Sequence, residues 1–252
     1  MSMIEDCQRC VSRSHCVTGQ VDPVDQPLVR SLMLCQTRLV PGDVLIHPGM
    51  AFERVYLIRY GCFKTVLLDA DGHMHTASLH SRGEMLGLEG LGHGSHQCEV
   101  TALQHASVCV FRFDQWCELS RKVQALQQAW YQALSRAMHR DWQQMLLLGC
   151  MNGEERVAQF LMSLRDRQMT GAMRPDMVDL MMTRQEIGNF LGMTLESVSR
   201  HLSQFQRRGW IRLDRRRVHI LQPIALAHRR ELPQRSSYRS GMGLSEQRLP
   251  GV

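Results

Sequence analysis

Residues 183–221 read TRQEIGNFLGMTLESVSRHLSQFQRRGWIRLDRRRVHIL, and this stretch decides how the C-terminal part of the chain folds. Thr183 and Glu186 form a T-x-x-E capping box, which predicts a helix running to Leu191 and ended by Gly192. Thr194 is placed to cap a second helix in which Leu195, Val198, Leu202 and Phe205 recur at offsets 0, 3, 7 and 10 as a buried stripe. Its opposite face carries Glu196, Ser199, Arg200 and Ser203. Two short helices joined at a glycine, the second polar on its outward side, are a helix-turn-helix whose second helix can enter a major groove. Trp210–Leu213 and Val218–Ile220, flanking the charged turn from Asp214 to Arg217, predict a β-hairpin and so a winged helix.

The residue types suit that reading. An arginine fork can donate to guanine O6 and N7, a glutamate can accept from cytosine N4, and a serine can reach a phosphate or a base edge. Glu196 and Arg200 are one turn apart and can read adjacent base pairs. Arg184 and Arg216 are assigned to the same interface; Arg207, Arg208 and Arg215–Arg217 are expected on phosphates, which position a protein without selecting sequence. From Thr183 to Arg230 ten basic residues stand against three acids, while the whole chain carries only +6. The charge excess therefore sits on one segment, the footprint of a polyanion partner.

Working outward, 252 residues with 44% apolar content can bury one large and one small core. No stretch approaches the roughly 18 consecutive apolar residues of a membrane span, and MSMIEDCQRC has no secretory h-region, so the expected compartment is the cytoplasm and no membrane partner is expected. Thiols stay reduced there, and nine cysteines could not all pair within one chain. No nucleophile, base and oxyanion constellation and no phosphate loop is present, so the chain reads as a non-enzyme.

Between Val29 and Phe113 short apolar runs are punctuated by glycines 42, 49, 61, 72 and 83, the rhythm of short antiparallel strands, with Asp71-Gly72 as a hairpin turn. From about Arg121 to Leu148 the period becomes helical, and Tyr131, Leu134, Met138, Asp141, Met145 and Leu148 make a heptad seam that suggests a homodimer. Asp141 is the odd member. Facing its twin across a parallel dimer, two carboxylates about 4 Å apart repel by roughly 1 to 4 kcal/mol. The chain thus divides into a cysteine-rich segment (1–28), a strand-rich domain (29–120), a dimerisation helix (121–150), a winged helix-turn-helix domain (151–228) and a disordered basic tail (229–252). Cys35, Cys62, Cys117 and Cys150 sit among apolar residues and are expected to be buried packing thiols.

Three thiols remain at the start, Cys7, Cys10 and Cys16, spaced C-x2-C-x5-C before any core begins. In a reducing compartment such a trio points to a metal or redox role. On spacing alone a zinc ion is served as well as an iron–sulfur cluster.

The order of parts resembles the CRP/FNR family of bacterial transcription regulators, and is most similar to its iron–sulfur, oxygen-sensing FNR-type branch. The resemblance spans about residues 4–228, with TRQEIGNFLGMTLESVSRHLSQFQ matching the family's DNA-binding signature nearly residue for residue. It implies an α+β chain: an N-terminal β-roll of cyclic-nucleotide-binding type, a long dimerisation helix and a C-terminal winged helix-turn-helix. It implies that Glu196, Ser199 and Arg200 meet inverted-repeat TTGAT half-sites, that the protein works as a homodimer, and that RNA polymerase is a partner. It also implies that Cys7, Cys10 and Cys16 are three ligands of a [4Fe-4S] cluster, with the fourth in the β-roll at Cys109 in SVCVF and Cys98 as the rival. The family's other branch binds cyclic nucleotide through an Arg-Ser pair; that position falls at about Glu99-Val100, which supplies neither group, so no cyclic nucleotide is expected. Among twelve histidines none stands out as a haem ligand. The alternatives are a zinc-stapled regulator and one gated by a small effector in the β-roll.

Overall fold

The computed structural model describes residues 7, 10, 12–69, 71–168 and 176–227. The basic tail and residues 169–175 lie outside the described residues. After a short helix α1 (Gln26–Ser31), eight strands follow: β1 (Met33–Leu39), β2 (Val44–Ile46), β3 (Arg54–Tyr60), β4 (Phe63–Leu68), β5 (Met74–His80), β6 (Met85–Leu86), β7 (Glu99–Ala102) and β8 (Ala106–Arg112). They form two antiparallel sheets, ordered β1-β8-β3-β6 and β2-β7-β4-β5. The expected Asp-Gly hairpin joins β4 to β5, with Gly72 at φ 82°, where a side chain would be strained.

Strand parity divides the first sheet into two faces. Tyr56, Ile58, Val108 and Val110 point between the sheets, where they meet Ile46, Phe63, Leu86 and Val100. Val55, Leu57, Cys109 and Phe111 point the other way, onto a second core. That second core contains helix α2 (Phe113–Ser120), the first half of α3 (Gln124–Cys150) and Val17 and Val21 of the N-terminal segment. Edge and tilted ring contacts of 5.3 to 5.8 Å link Phe111, Trp116, Trp130 and Phe113 within it. The long helix starts at Gln124 rather than near Arg121, because Phe113–Ser120 folds as its own helix and Val123 is extended at φ −114°, ψ 94°.

Helix α3 buries one side on the β-roll through Leu126, Ala129, Trp130 and Ala133. Its other side leaves Tyr131 (59%), Met138 (54%), Trp142 (60%) and Met145 (70%) exposed. This stripe differs from the heptad seam in two places. Leu134 is half-buried against the β-roll core, and Asp141 sits at the stripe's edge, its Oδ1 accepting from Ser78 Oγ of β5 at 3.4 Å. At about 100° per residue the apolar line passes through Trp142, and Asp141 is turned toward its own protomer.

The C-terminal unit comprises α4 (Gly153–Gln168), β9 (Met177–Asp179), α5 (Arg184–Leu191), α6 (Leu195–Arg207), β10 (Ile211–Asp214), β11 (Arg217–Ile220) and α7 (Pro223–Ala227). Its core of Val157, Phe160, Leu161, Leu164, Ile187, Leu191, Val198, Leu202 and Phe205 also takes in Leu147 of α3 and Leu79 of β5. The capping box forms: Thr183 Oγ1 accepts from Glu186 N at 3.2 Å, and Thr183 N donates to Glu186 Oε2 at 2.8 Å. Gly192 closes α5 at φ 61°. A Cβ on Gly188 would meet the Met193 carbonyl at 2.5 Å, so the helix pair can cross this closely only over glycine. Loss of the cap in Thr183→Ala is expected to cost about 1 kcal/mol, visible as a lower urea midpoint with an unchanged m-value.

Polar contacts dock this unit on the β-roll. Lys64 Nζ of β4 donates to Glu186 Oε1 at 2.6 Å, and Arg167 Nη1 of α4 donates to Leu79 O at 3.0 Å and Glu84 Oε1 at 3.2 Å. Burial raises the Glu84 and Glu186 carboxyls, but hydrogen bonds and nearby cations (His80, Arg167 and Arg140 at Glu84; Lys64 and Thr183 at Glu186) outweigh it and both end below the ordinary value of 4.5. Their stabilising contribution is therefore present above about pH 4.5 and is lost as pH falls through the lowered folded values. Among the described residues no helix is long and apolar enough to cross a membrane.

Candidate functional site: a nucleic-acid interface and a four-thiol pocket

Helix α6 presents Glu196, Arg200 and Ser203 fully exposed and Ser199 half-exposed, opposite the buried Val198, Leu202 and Phe205. Thr194 Oγ1 caps it by accepting from Ser197 N at 3.2 Å, and Arg200 Nη2 rests on Ser197 Oγ at 3.1 Å. Leu195, expected in the buried stripe, is 38% exposed, since the first turn of α6 projects past the core. The wing turn carries Arg215 at φ 53°, with Arg215 and Arg216 exposed at its tip.

Two of the expected phosphate contacts are otherwise engaged. Arg208 Nη1 pairs with Glu154 at 2.6 Å and its guanidinium lies 4.8 Å over the Trp210 ring, while Arg217 Nε pairs with Asp179 at 3.3 Å. Both contacts lie within the C-terminal unit. Arg184 is half-buried, burial lowers its pKa, and its Nη1 is buried without a hydrogen-bond partner.

The cysteines separate just as clearly. Cys7, Cys10, Cys16 and Cys109 line one narrow pocket with about 20 Å³ of free space, together with Arg13, Thr18 and Arg59. The segment carrying the trio is held by backbone turns, Arg13 N to Cys10 O at 3.1 Å, Cys16 N to Ser12 O at 2.9 Å and Gly19 N to Cys16 O at 3.0 Å. Ser12 Oγ donates to the Arg59 carbonyl of β3, pinning the loop to the sheet face that carries Cys109. Burial, reinforced by Cys16, Cys7 and Cys10, pushes the Cys109 thiol up to about 12. Burial and neighbouring thiols also raise Cys7, and burial raises Cys16. Four thiolates converging on one half-buried pocket would repel one another, and a bound cationic centre offsets that repulsion. The donor chemistry fits a four-thiolate metal group.

Cys98 is elsewhere. It is buried between the sheets, and its Sγ donates to Glu89 Oε1 at 3.2 Å, which with burial raises its pKa. Two further cysteine expectations are corrected: Cys35 and Cys150 are exposed, Cys35 because its strand position faces outward and Cys150 because it ends α3, while Cys62 is buried. Sequence reasoning missed Ser12, Arg59, Lys64 and Trp142. Only Trp142 carried a legible signal, through its 7, 4, 3 spacing with Tyr131, Met138 and Met145.

The Crp-like helix-turn-helix domain model matches residues 155–229, and the cyclic nucleotide-binding domain model matches residues 36–122. The transcriptional regulatory protein btr of Bordetella pertussis is 33% identical, over 85% of this chain and 89% of its own. The transcriptional activator protein Anr of Pseudomonas protegens is 32% identical, over 87% of this chain and 90% of its own. The chain belongs to the CRP/FNR family of transcription regulators. Among solved structures, FixK2 from Bradyrhizobium japonicum is 26% identical and superposes with a TM-score of 0.69 over 77% of this chain and 96% of its own.

As a CRP/FNR regulator the protein is a DNA-binding dimer and not an enzyme. Its arginines are expected to separate into two kinds. Arg200→Ala should cost about 1 to 3 kcal/mol on the specific site and relax the preference at one base pair, leaving nonspecific binding nearly unchanged. Arg216→Ala should weaken all sequences alike and shallow the salt dependence by about one phosphate's worth. Titration of specific and scrambled duplexes across a salt series distinguishes them; equal losses on both duplexes for Arg200→Ala would make it a phosphate anchor.

Proposed function

We propose that this protein is an oxygen-responsive regulator that binds TTGAT-type inverted repeats as a homodimer when a [4Fe-4S] cluster is held by Cys7, Cys10, Cys16 and Cys109. The observation that carries this reading is the convergence of those four thiols, from the N-terminal loop and from β8, on one pocket that excludes Cys98.

Bound there, the cluster would supply the oxygen-labile chemistry. The chain supplies the connection. Val17 and Val21 of the cysteine segment pack with Leu126, Ala129, Trp130 and Ala133 on the buried side of α3, whose other side carries the exposed stripe. Order in the cysteine loop therefore bears directly on the helix that pairs the protomers. Paired, the two copies of α6 reach successive major grooves about 34 Å apart. RNA polymerase is the expected partner at such sites.

Two features support a regulator that does not use cyclic nucleotide. By the family resemblance the phosphate-binding pair falls at about Glu99-Val100, and Glu99 accepts from Thr101 Oγ1 at 2.8 Å. The glycine turn beside them is filled: a Cβ on Gly87 would lie 2.9 Å from the fully buried His96, and one on Gly90 would lie 2.8 Å from Phe52. Iron and acid-labile sulfide content, with the visible spectrum, of protein purified without oxygen tests the proposal. Brown protein with about four irons and four sulfides per chain is expected; colourless, zinc-containing protein selects the stapled alternative.

A further inference from the structure

Beside the cysteine loop lies a second concavity of about 330 Å³ that includes none of the four sulfurs. Its walls come from four parts of the chain: His15 of the loop, Arg82 between β5 and β6, Arg136 and Arg140 of α3, and Arg167 of α4. Four guanidiniums thus surround a single carboxylate, Glu84, which Arg167 and Arg140 approach at 3.2 and 3.5 Å. A concave wall with this excess focuses a positive field and draws a counter-anion. The volume is that of a small-molecule pocket, and planar arginine forks match phosphate oxygens in pairs.

We propose that this pocket binds a small phosphorylated ligand bearing two or more adjacent negative charges, with Arg82 and Arg136 as its principal contacts. The pocket stays open in the dimer: Arg136 and Arg140 lie about 140° and 180° around α3 from Tyr131, away from the exposed stripe. It is also distinct from the recognition helix, none of whose residues line it. Binding here would be felt by the cysteine loop. Gly83 has φ 84°, and a Cβ on it would lie 2.6 Å from both the Cβ and the carbonyl oxygen of His15, so the loop sits directly on the turn that carries Arg82. Arg82 Nη2 itself lies 3.5 Å from His15 Nδ1. An anion in the pocket ties the loop, the dimer helix and α4 of the DNA-binding unit into one body. The pocket contains no cluster ligand, so this proposal stands or falls apart from the iron–sulfur reading.

The test is calorimetric titration of inorganic pyrophosphate into the full-length protein, as isolated and at physiological salt. One saturable site per chain is expected, with a dissociation constant below about 1 mM and a rise in thermal midpoint on saturation. Arg82→Ala and Arg136→Ala should each weaken binding at least about tenfold, as the loss of a charge-assisted pair implies, while Arg216→Ala on the wing leaves it unchanged. Arg136 is exposed, so its variant keeps the test sound if Arg82→Ala folds poorly. The proposal is overturned if no saturable site appears, if both pocket variants bind like the parent, or if only Arg216→Ala loses binding.

Discussion

Cys109→Ser abolishes iron retention and anaerobic binding to the specific duplex, whereas Cys98→Ser retains both: this is the expected outcome of opposite strand faces. Cys109 lies on β8 between Val108 and Val110, which point into the inter-sheet core, so its own side chain emerges on the face covered by the cysteine loop. There it shares a pocket with Cys7, Cys10 and Cys16, and a hydroxyl in its place is a far poorer ligand than thiolate for iron. Serine at Cys98 keeps a donor for Glu89 Oε1 in a site remote from the pocket. Iron content and anaerobic DNA titration of the two variants decide the matter. Iron lost from Cys98→Ser and kept in Cys109→Ser would overturn the ligand assignment; iron kept in both would remove the β8 thiol from the ligand set.

The second large effect is expected at Trp142, the exposed centre of the stripe on α3. In a dimer closed on this stripe, Trp142→Glu removes a large apolar contact from each protomer and leaves a carboxylate where water is excluded. About 3 kcal/mol or more per dimer follows from the lost burial alone, a rise of at least about a hundredfold in the dissociation constant. Specific DNA binding should fall with it, because one recognition helix reads only a half-site. Gln143→Glu introduces the same charge one residue on, about 100° around the helix, and should leave dimerisation nearly unchanged. Sedimentation equilibrium on both variants provides the comparison; equal constants would show that the protomers pair elsewhere. Asp141→Ala, which the heptad spacing makes a stabilising change, has a smaller expected effect, since Asp141 turns toward Ser78.

The winged helix-turn-helix was legible almost residue by residue because its determinants are local. The capping box of Thr183 and Glu186, the left-handed Gly192, the Thr194 cap and the α6 stripe each depend on residues within a few positions of one another. The wing was equally plain in its alternation. What could not be read there was which arginines remain available: Glu154 and Asp179, which engage Arg208 and Arg217, are more than thirty positions away. The half-burial of Arg184 likewise arises in the packed structure, where α5 is docked on the β-roll.

By itself, then, the sequence determined the kinds of element and the local chemistry: a capped recognition helix with Glu196 and Arg200 outward, a thiol trio, a glycine-punctuated set of strands and a long apolar-striped helix. Periodicity and capping act over one or two turns, so they survive reading in one dimension. Only the tertiary structure decided the relation between those parts. It set Cys109 rather than Cys98 beside the trio, because strand parity assigns opposite faces only once each sheet's covered side is known. It put Trp142 rather than Asp141 at the centre of the bare apolar stripe of α3, because the side left bare is whichever side the β-roll does not take. And it drew Arg82, Arg136, Arg140 and Arg167 around one concavity, a convergence of residues up to 85 positions apart that no local pattern encodes.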